Sequence, residues 1–132
     1  MKFISCLLLA ILLTLSSQAQ RYKKLHFRSV VADTHNDFLT VALDKHLAMD
    51  QDLRGKSHSD LQRWKQGGID VQIFSVWCDG LKKDPYAWAN IQMDTLAAVV
   101  RRNPDKIAMV SNPEELSKAV KEKKLAATRS HS

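Results

Sequence analysis

The nine residues Ile69-Asp70-Val71-Gln72-Ile73-Phe74-Ser75-Val76-Trp77 constrain the fold more than any other stretch. They are rich in β-branched and aromatic side chains and have strand length. Gly67-Gly68 precedes them, so the chain arrives there from a terminated helix. A second apolar run, Ser29 to Thr34, reads as an earlier strand, and helical patterns lie between and after the two. Strand and helix in alternation describe the start of a parallel α/β protein, whose strands need cover on both faces.

The helical stretches carry their own start and stop signals. Ser59 and Gln62 stand at capping-box spacing ahead of Leu61 and Trp64, and the first glycine of Gly67-Gly68 is placed to take the left-handed conformation that ends a helix. Asp84-Pro85 opens a longer helix, with Asp as the cap and Pro where no donor is needed. Ala89, Met93, Leu96 and Val100 form its buried stripe, and Asn103-Pro104 ends it. Lys106 to Val110 is a brief strand-like piece. Ser111 or Asn112, followed by Pro113, then starts a last helix with Leu116, Ala119 and Val120 on its buried face. A further strand is due at Lys124-Leu125-Ala126-Ala127. Leu39 to Lys56 shows no period and reads as a long loop, a feature that in compact domains tends to be functional.

Residues 1–19 have the pattern of a secretory signal peptide. Lys2 precedes the apolar run Ile4 to Leu15, and Ser16, Ser17, Gln18 and Ala19 follow, which places cleavage before Gln20 and export to the periplasm or the outside. The run is short for a transmembrane helix, which needs about 20 apolar residues. Nothing after the leader points to a membrane. Gln20 to Leu25 is polar and basic, a flexible lead-in. The length of residues 20–132 fits one domain at most, and only Cys78 is left after cleavage, so no internal disulfide is possible. The chain carries 20 Lys and Arg against 14 Asp and Glu. These bases are scattered or sit at helix ends, with no aromatic and arginine stripe to suit nucleic acid.

The chemistry-bearing stretch is Val30 to Phe38, where a strand expected to be buried ends in Asp33-Thr34-His35-Asn36-Asp37. In extended chain Asp33, His35 and Asp37 share one face while Thr34 and Asn36 take the other. Imidazole nitrogen and carboxylate oxygen together suit a divalent cation such as zinc. The same cluster equally suits plain turn chemistry, with Asp and Asn bonding their own backbone. His26, His46 and His131 stand at no ligand spacing and read as surface groups, His58 reads as a loop or helix-start residue, and Cys78 has no matched base.

Taken together these motifs resemble the zinc membrane dipeptidases (renal dipeptidase type, peptidase family M19). The likeness rests on Val31-Ala32-Asp33-Thr34-His35-Asn36-Asp37, on His58-Ser59-Asp60-Leu61 leading through Trp64 to Gly67-Gly68, on Gln72-Ile73-Phe74-Ser75-Val76, and on the following helices. It implies an α/β fold, the N-terminal portion of a (β/α)8 TIM-like barrel that is incomplete in this chain. It also implies metal-dependent hydrolysis of dipeptides at a binuclear zinc centre. His35 and Asp37 match ligands of one zinc, and Asp33 matches a group that orients them. The family continues with an Ile-Glu-Gly type motif whose glutamate bridges both metals, and then with histidines for the second. Leu125 to Ser132 departs from that pattern. The resemblance therefore implies a truncated chain with open sheet edges that is itself inactive, no catalytic residue being identified within it. A non-catalytic remnant or interaction piece, and another metal-dependent amidohydrolase, are the alternatives.

Overall fold

The computed structural model describes residues 21–78, 80 and 82–131. The leader at residues 1–19 lies outside them. The chain divides into two compact units, Met1–Val30 and Val31–Ser132. In the first unit residues 21–26 are helical (α1) and not an irregular lead-in. The turn closes on Leu25, whose carbonyl accepts from the Ser29 N–H at 3.1 Å and the Ser29 hydroxyl at 3.0 Å. Ser29 is thus spent on a helical turn, and the strand expected from it begins three residues later. No helix among the described residues is long and apolar enough to cross a membrane.

The second unit runs β1 (Ala32–Asn36), α2 (Phe38–Asp44), α3 (Leu61–Gly67), β2 (Val71–Val76), α4 (Pro85–Arg102), β3 (Ile107–Met109), α5 (Pro113–Lys121) and β4 (Leu125–His131). The four strands form one parallel sheet in the order β1-β2-β4-β3. β4, expected only as the beginning of a strand, pairs with β2 from Val71↔Ala126 to Val76↔His131 and lies inside the sheet.

Local chemistry explains most of these elements. Asp84 caps α4 by accepting from the Ala87 N–H at 2.9 Å, with Pro85 at the first position. The cap of α5 is Asn112, which accepts from the Glu115 N–H at 2.9 Å while the Glu115 carboxylate accepts from the Ser111 N–H at 2.8 Å. α3 is capped by Asp60 and not by Ser59, because the buried Asp60 carboxylate reaches the Arg63 N–H. Its left-handed end is Gly68, at φ 72°, and not Gly67. A side chain at that φ costs about 1–2 kcal/mol. Gly68→Ala is accordingly expected to lower the unfolding free energy by about 1 kcal/mol, read from the urea midpoint; an unshifted midpoint would show that the turn relaxes to accept alanine.

The segment expected as a long loop begins with α2, which buries Phe38, Leu39 and Ala42, and the irregular chain after it buries Met49 and Leu53. Phe74 of β2 is fully buried, and Trp64 of α3 packs edge-on between it and Phe38, with ring centroids 5.7 Å apart in both pairs. Leu96 and Val99 of α4 close the same cluster. A smaller cluster joins Val71 and Ala126 to Ala119 of α5. Successive strand residues alternate faces, so Phe74 and Val76 serve the first cluster and Val71 the second.

Candidate metal centre

β1 is an edge strand, and that changes the site from the one its sequence suggests. Among the described strands it pairs with β2 alone, and it is largely exposed where a buried strand was expected. Its register also slips: Asp33 lies opposite Gln72, yet Asn36 lies opposite Phe74, which leaves one extra residue on β1. Such a bulge re-aims the side chains that follow it. The expected alternation of Asp33, His35 and Asp37 fails for this reason. Asp33 and Asn36 both stay half-buried on the side of Gln72, while His35 is exposed. Asp37 has left the strand altogether and stands at the start of α2 with φ −86° and ψ 17°.

The bulge nonetheless brings the two expected ligands together. His35 Nε2 lies 3.4 Å from Asp37 Oδ1, and their side chains are 65% and 46% exposed. Two donors bound to one tetrahedral zinc at about 2.0–2.1 Å stand about 3.3–3.4 Å apart, so the pair fits two adjacent corners of such a site. Asp33 does not join them. Its Oδ1 accepts from the His35 N–H at 3.2 Å and its Oδ2 from Asn36 Nδ2 at 3.3 Å. Burial by itself would raise the Asp33 carboxyl. Hydrogen bonds from Gln72, the His35 backbone and Asn36, together with His35 close by, outweigh that and hold it below its ordinary value. Asp33 is therefore an ionised acceptor that braces the His35 backbone.

Among the described residues no group of three or more His, Cys, Asp or Glu side chains comes together as a metal site. The described residues thus place one imidazole and one carboxylate side by side on an open surface. Cys78, half-buried, follows β2.

Two further residues shape the site and were not picked out from the sequence as part of it. Gln72 is fully buried, donating from Nε2 to the Asp33 carbonyl at 3.3 Å and accepting at Oε1 from Asn36 Nδ2 at 3.4 Å. Asn36 Oδ1 accepts from the Phe38 N–H at 2.9 Å and so starts α2 in place of a side-chain cap from Asp37. A polar residue in the middle of the strand-forming run was the one available signal for Gln72. On the far side of α2, buried Gln92 accepts from the Thr40 hydroxyl at 3.1 Å and donates to the Trp77 carbonyl at 2.8 Å, tying α2 to the end of β2.

The family described as membrane dipeptidase (peptidase family M19) has a model that matches residues 19–131 of this chain. Among curated proteins nothing matches. Among solved structures, the crystal structure of the probable dipeptidase PvdM from Pseudomonas aeruginosa aligns with a TM-score of 0.64 at 16% identity, over 85% of this chain. At that identity the likeness is one of fold, the parallel α/β arrangement of a barrel's opening part. The present chain spans 30% of the length of that protein.

Proposed function

The chain belongs to the membrane dipeptidase family, peptidase family M19, and from that premise we propose that it carries the opening part of an exported zinc dipeptidase, with His35 and Asp37 as ligands to one metal of a two-metal centre. The observation that supports this reading is the 3.4 Å approach of His35 Nε2 to Asp37 Oδ1 on the open side of the sheet. Parallel α/β barrels place their chemistry at the carboxyl ends of their strands, and this pair lies at that end of β1, His35 within its last two residues and Asp37 just past it.

Zinc, when bound, lowers the pKa of a coordinated water and polarises the scissile carbonyl of a dipeptide. This chain's own part is to present the donors. Asp33 fixes the His35 backbone through its N–H, and the early start of α2 holds Asp37 within reach of the imidazole.

Two donors are fewer than the three protein ligands of an ordinary catalytic zinc site. On this reading the 132 residues bind zinc weakly and do not hydrolyse dipeptides unaided, the remaining ligands coming from elsewhere in a complete barrel. Isothermal titration with zinc is expected to show weak uptake, and His35→Ala is expected to weaken it by at least about tenfold. Equal affinity in the two proteins would remove His35 from the site. Dipeptide turnover by this chain that disappears in His35→Ala would overturn its inactivity.

A further inference from the structure

The one extra residue in β1 needs something to hold it. A bulge leaves part of the ladder unpaired, and here the gap falls between Asp33↔Gln72 and Asn36↔Phe74. Gln72 spans that gap from the neighbouring strand. Its amide nitrogen takes the Asp33 carbonyl at the start of the bulge, and its amide oxygen takes Asn36 Nδ2 at the end of it. Both contacts are long, but the side chain is fully buried, so the amide is shielded from competing water. Asn36 passes the constraint onward. Its Nδ2 also reaches Asp33 Oδ2, and its Oδ1 accepts the Phe38 N–H that begins α2.

We infer that Gln72 is a positioning residue for the His35–Asp37 pair, clamping the β1 bulge from β2 so that imidazole and carboxylate converge. This rests on the reading of that pair as metal ligands. Neither amide end touches His35 or Asp37, so the effect is transmitted wholly through Asp33 and Asn36. An amide suits the position because it donates at one end and accepts at the other, matching a carbonyl and an NH2 group across the strand. A methionine of similar length does neither.

The test uses the full chain with Gln72→Met, followed by amide hydrogen exchange in zinc-free buffer and then by zinc titration. The Phe38 amide is expected to exchange at least about tenfold faster, while the Ala126 amide, bonded at 2.8 Å to the Asp70 carbonyl beyond the bulge, keeps its protection. Zinc affinity is expected to fall about 10–100-fold, the range seen when groups behind metal ligands are removed. An unchanged Phe38 exchange rate, or a uniform acceleration at both amides, would overturn the clamp. If Gln72→Met does not fold, Asn36→Asp cuts the same link while keeping the acceptor for Phe38, and unchanged zinc affinity there would likewise overturn it. A wild-type chain that takes up no zinc sinks the metal reading instead, and exchange at Phe38 still decides for or against Gln72.

Discussion

Phe74→Ala is expected to destabilise the protein by about 3–5 kcal/mol, the range for emptying a fully buried aromatic site. Phe74 has no exposed surface and sits in β2, flanked by β1 and β4. Trp64 meets its ring edge-on at 5.7 Å and 74°, and Trp64 in turn meets Phe38 at 5.7 Å and 72°. Removing the middle strand's ring takes away the surface on which α3 rests and loosens the first residue of α2. Phe38 directly follows Asp37, so the cavity is felt at the site as well as in the core. Urea unfolding monitored by tryptophan fluorescence checks this, because Trp64 reports the cavity itself. A loss below about 1 kcal/mol would show that neighbouring side chains collapse into the space, an outcome at odds with close packing there.

The second large effect is expected at Asp60. This carboxylate is 1% exposed and accepts from the Arg63 and Leu53 backbone N–H groups at 2.9 and 3.1 Å and from Arg63 Nε at 2.8 Å. Arg63 also donates to the Ser57 carbonyl at 2.8 Å. One side chain thus caps α3, holds the irregular segment before it and neutralises a guanidinium. Asp60→Ala leaves the buried Leu53 N–H unpaired and the partly buried Arg63 guanidinium without its carboxylate, a loss of about 3–5 kcal/mol. Burial would raise the Asp60 carboxyl, but the hydrogen bonds from Arg63 and Leu53 and the charge of Arg63 hold it below its ordinary value. The folded state therefore binds fewer protons than the unfolded state across the interval between the two pKa values. Stability is fully present above the ordinary carboxylate range and is lost as pH falls through the depressed value. Asp33 and Asp50 are lowered as well and add to the same acid limb. Unfolding curves from neutral to acid pH are expected to be flatter for Asp60→Ala than for wild type; parallel curves would place the acid sensitivity elsewhere.

The elements legible in the sequence were those whose signals are local. Asp84-Pro85 and Asn103-Pro104 mark the ends of α4 within a few residues, and the structure places them there. Helix α2 gave no such signal. Phe38 to Leu43 is apolar nearly throughout, so a 3.6-residue period has no polar face to contrast with, and its first N–H is taken by Asn36 outside the helix. The one-residue displacement at each end of α3 has a similar cause. Ser59, Asp60, Gly67 and Gly68 all have suitable chemistry, and the contact from Leu53, outside the helix, favours Asp60 over Ser59. His35 and Asp37 were recognisable as a pair from residue type and spacing. Their geometry was not, because the bulge depends on Gln72, 39 residues from Asp33. Likewise the interior position of β4 follows from its pairing with β2, which the polar run Thr128 to His131 does not announce.

The strand order has a consequence for how the chain acquires its structure. Among the described strands β3 has one sheet neighbour, β4, which is made after it. As the polypeptide emerges from a ribosome, β1 and β2 can zip together while β3 waits without a partner until some twenty further residues have appeared. Of the four described strands, the one synthesised last is the one that welds the two parts of the sheet. Both of its contacts join residues distant in sequence, on the β2 side across the whole of α4 and α5, so its docking carries a large share of the loop-closure entropy and slows the search. Until that step the rows of backbone amides on β2 and β3 that β4 will occupy stand open together, and the nascent chain is then at its most exposed to pairing with a neighbour.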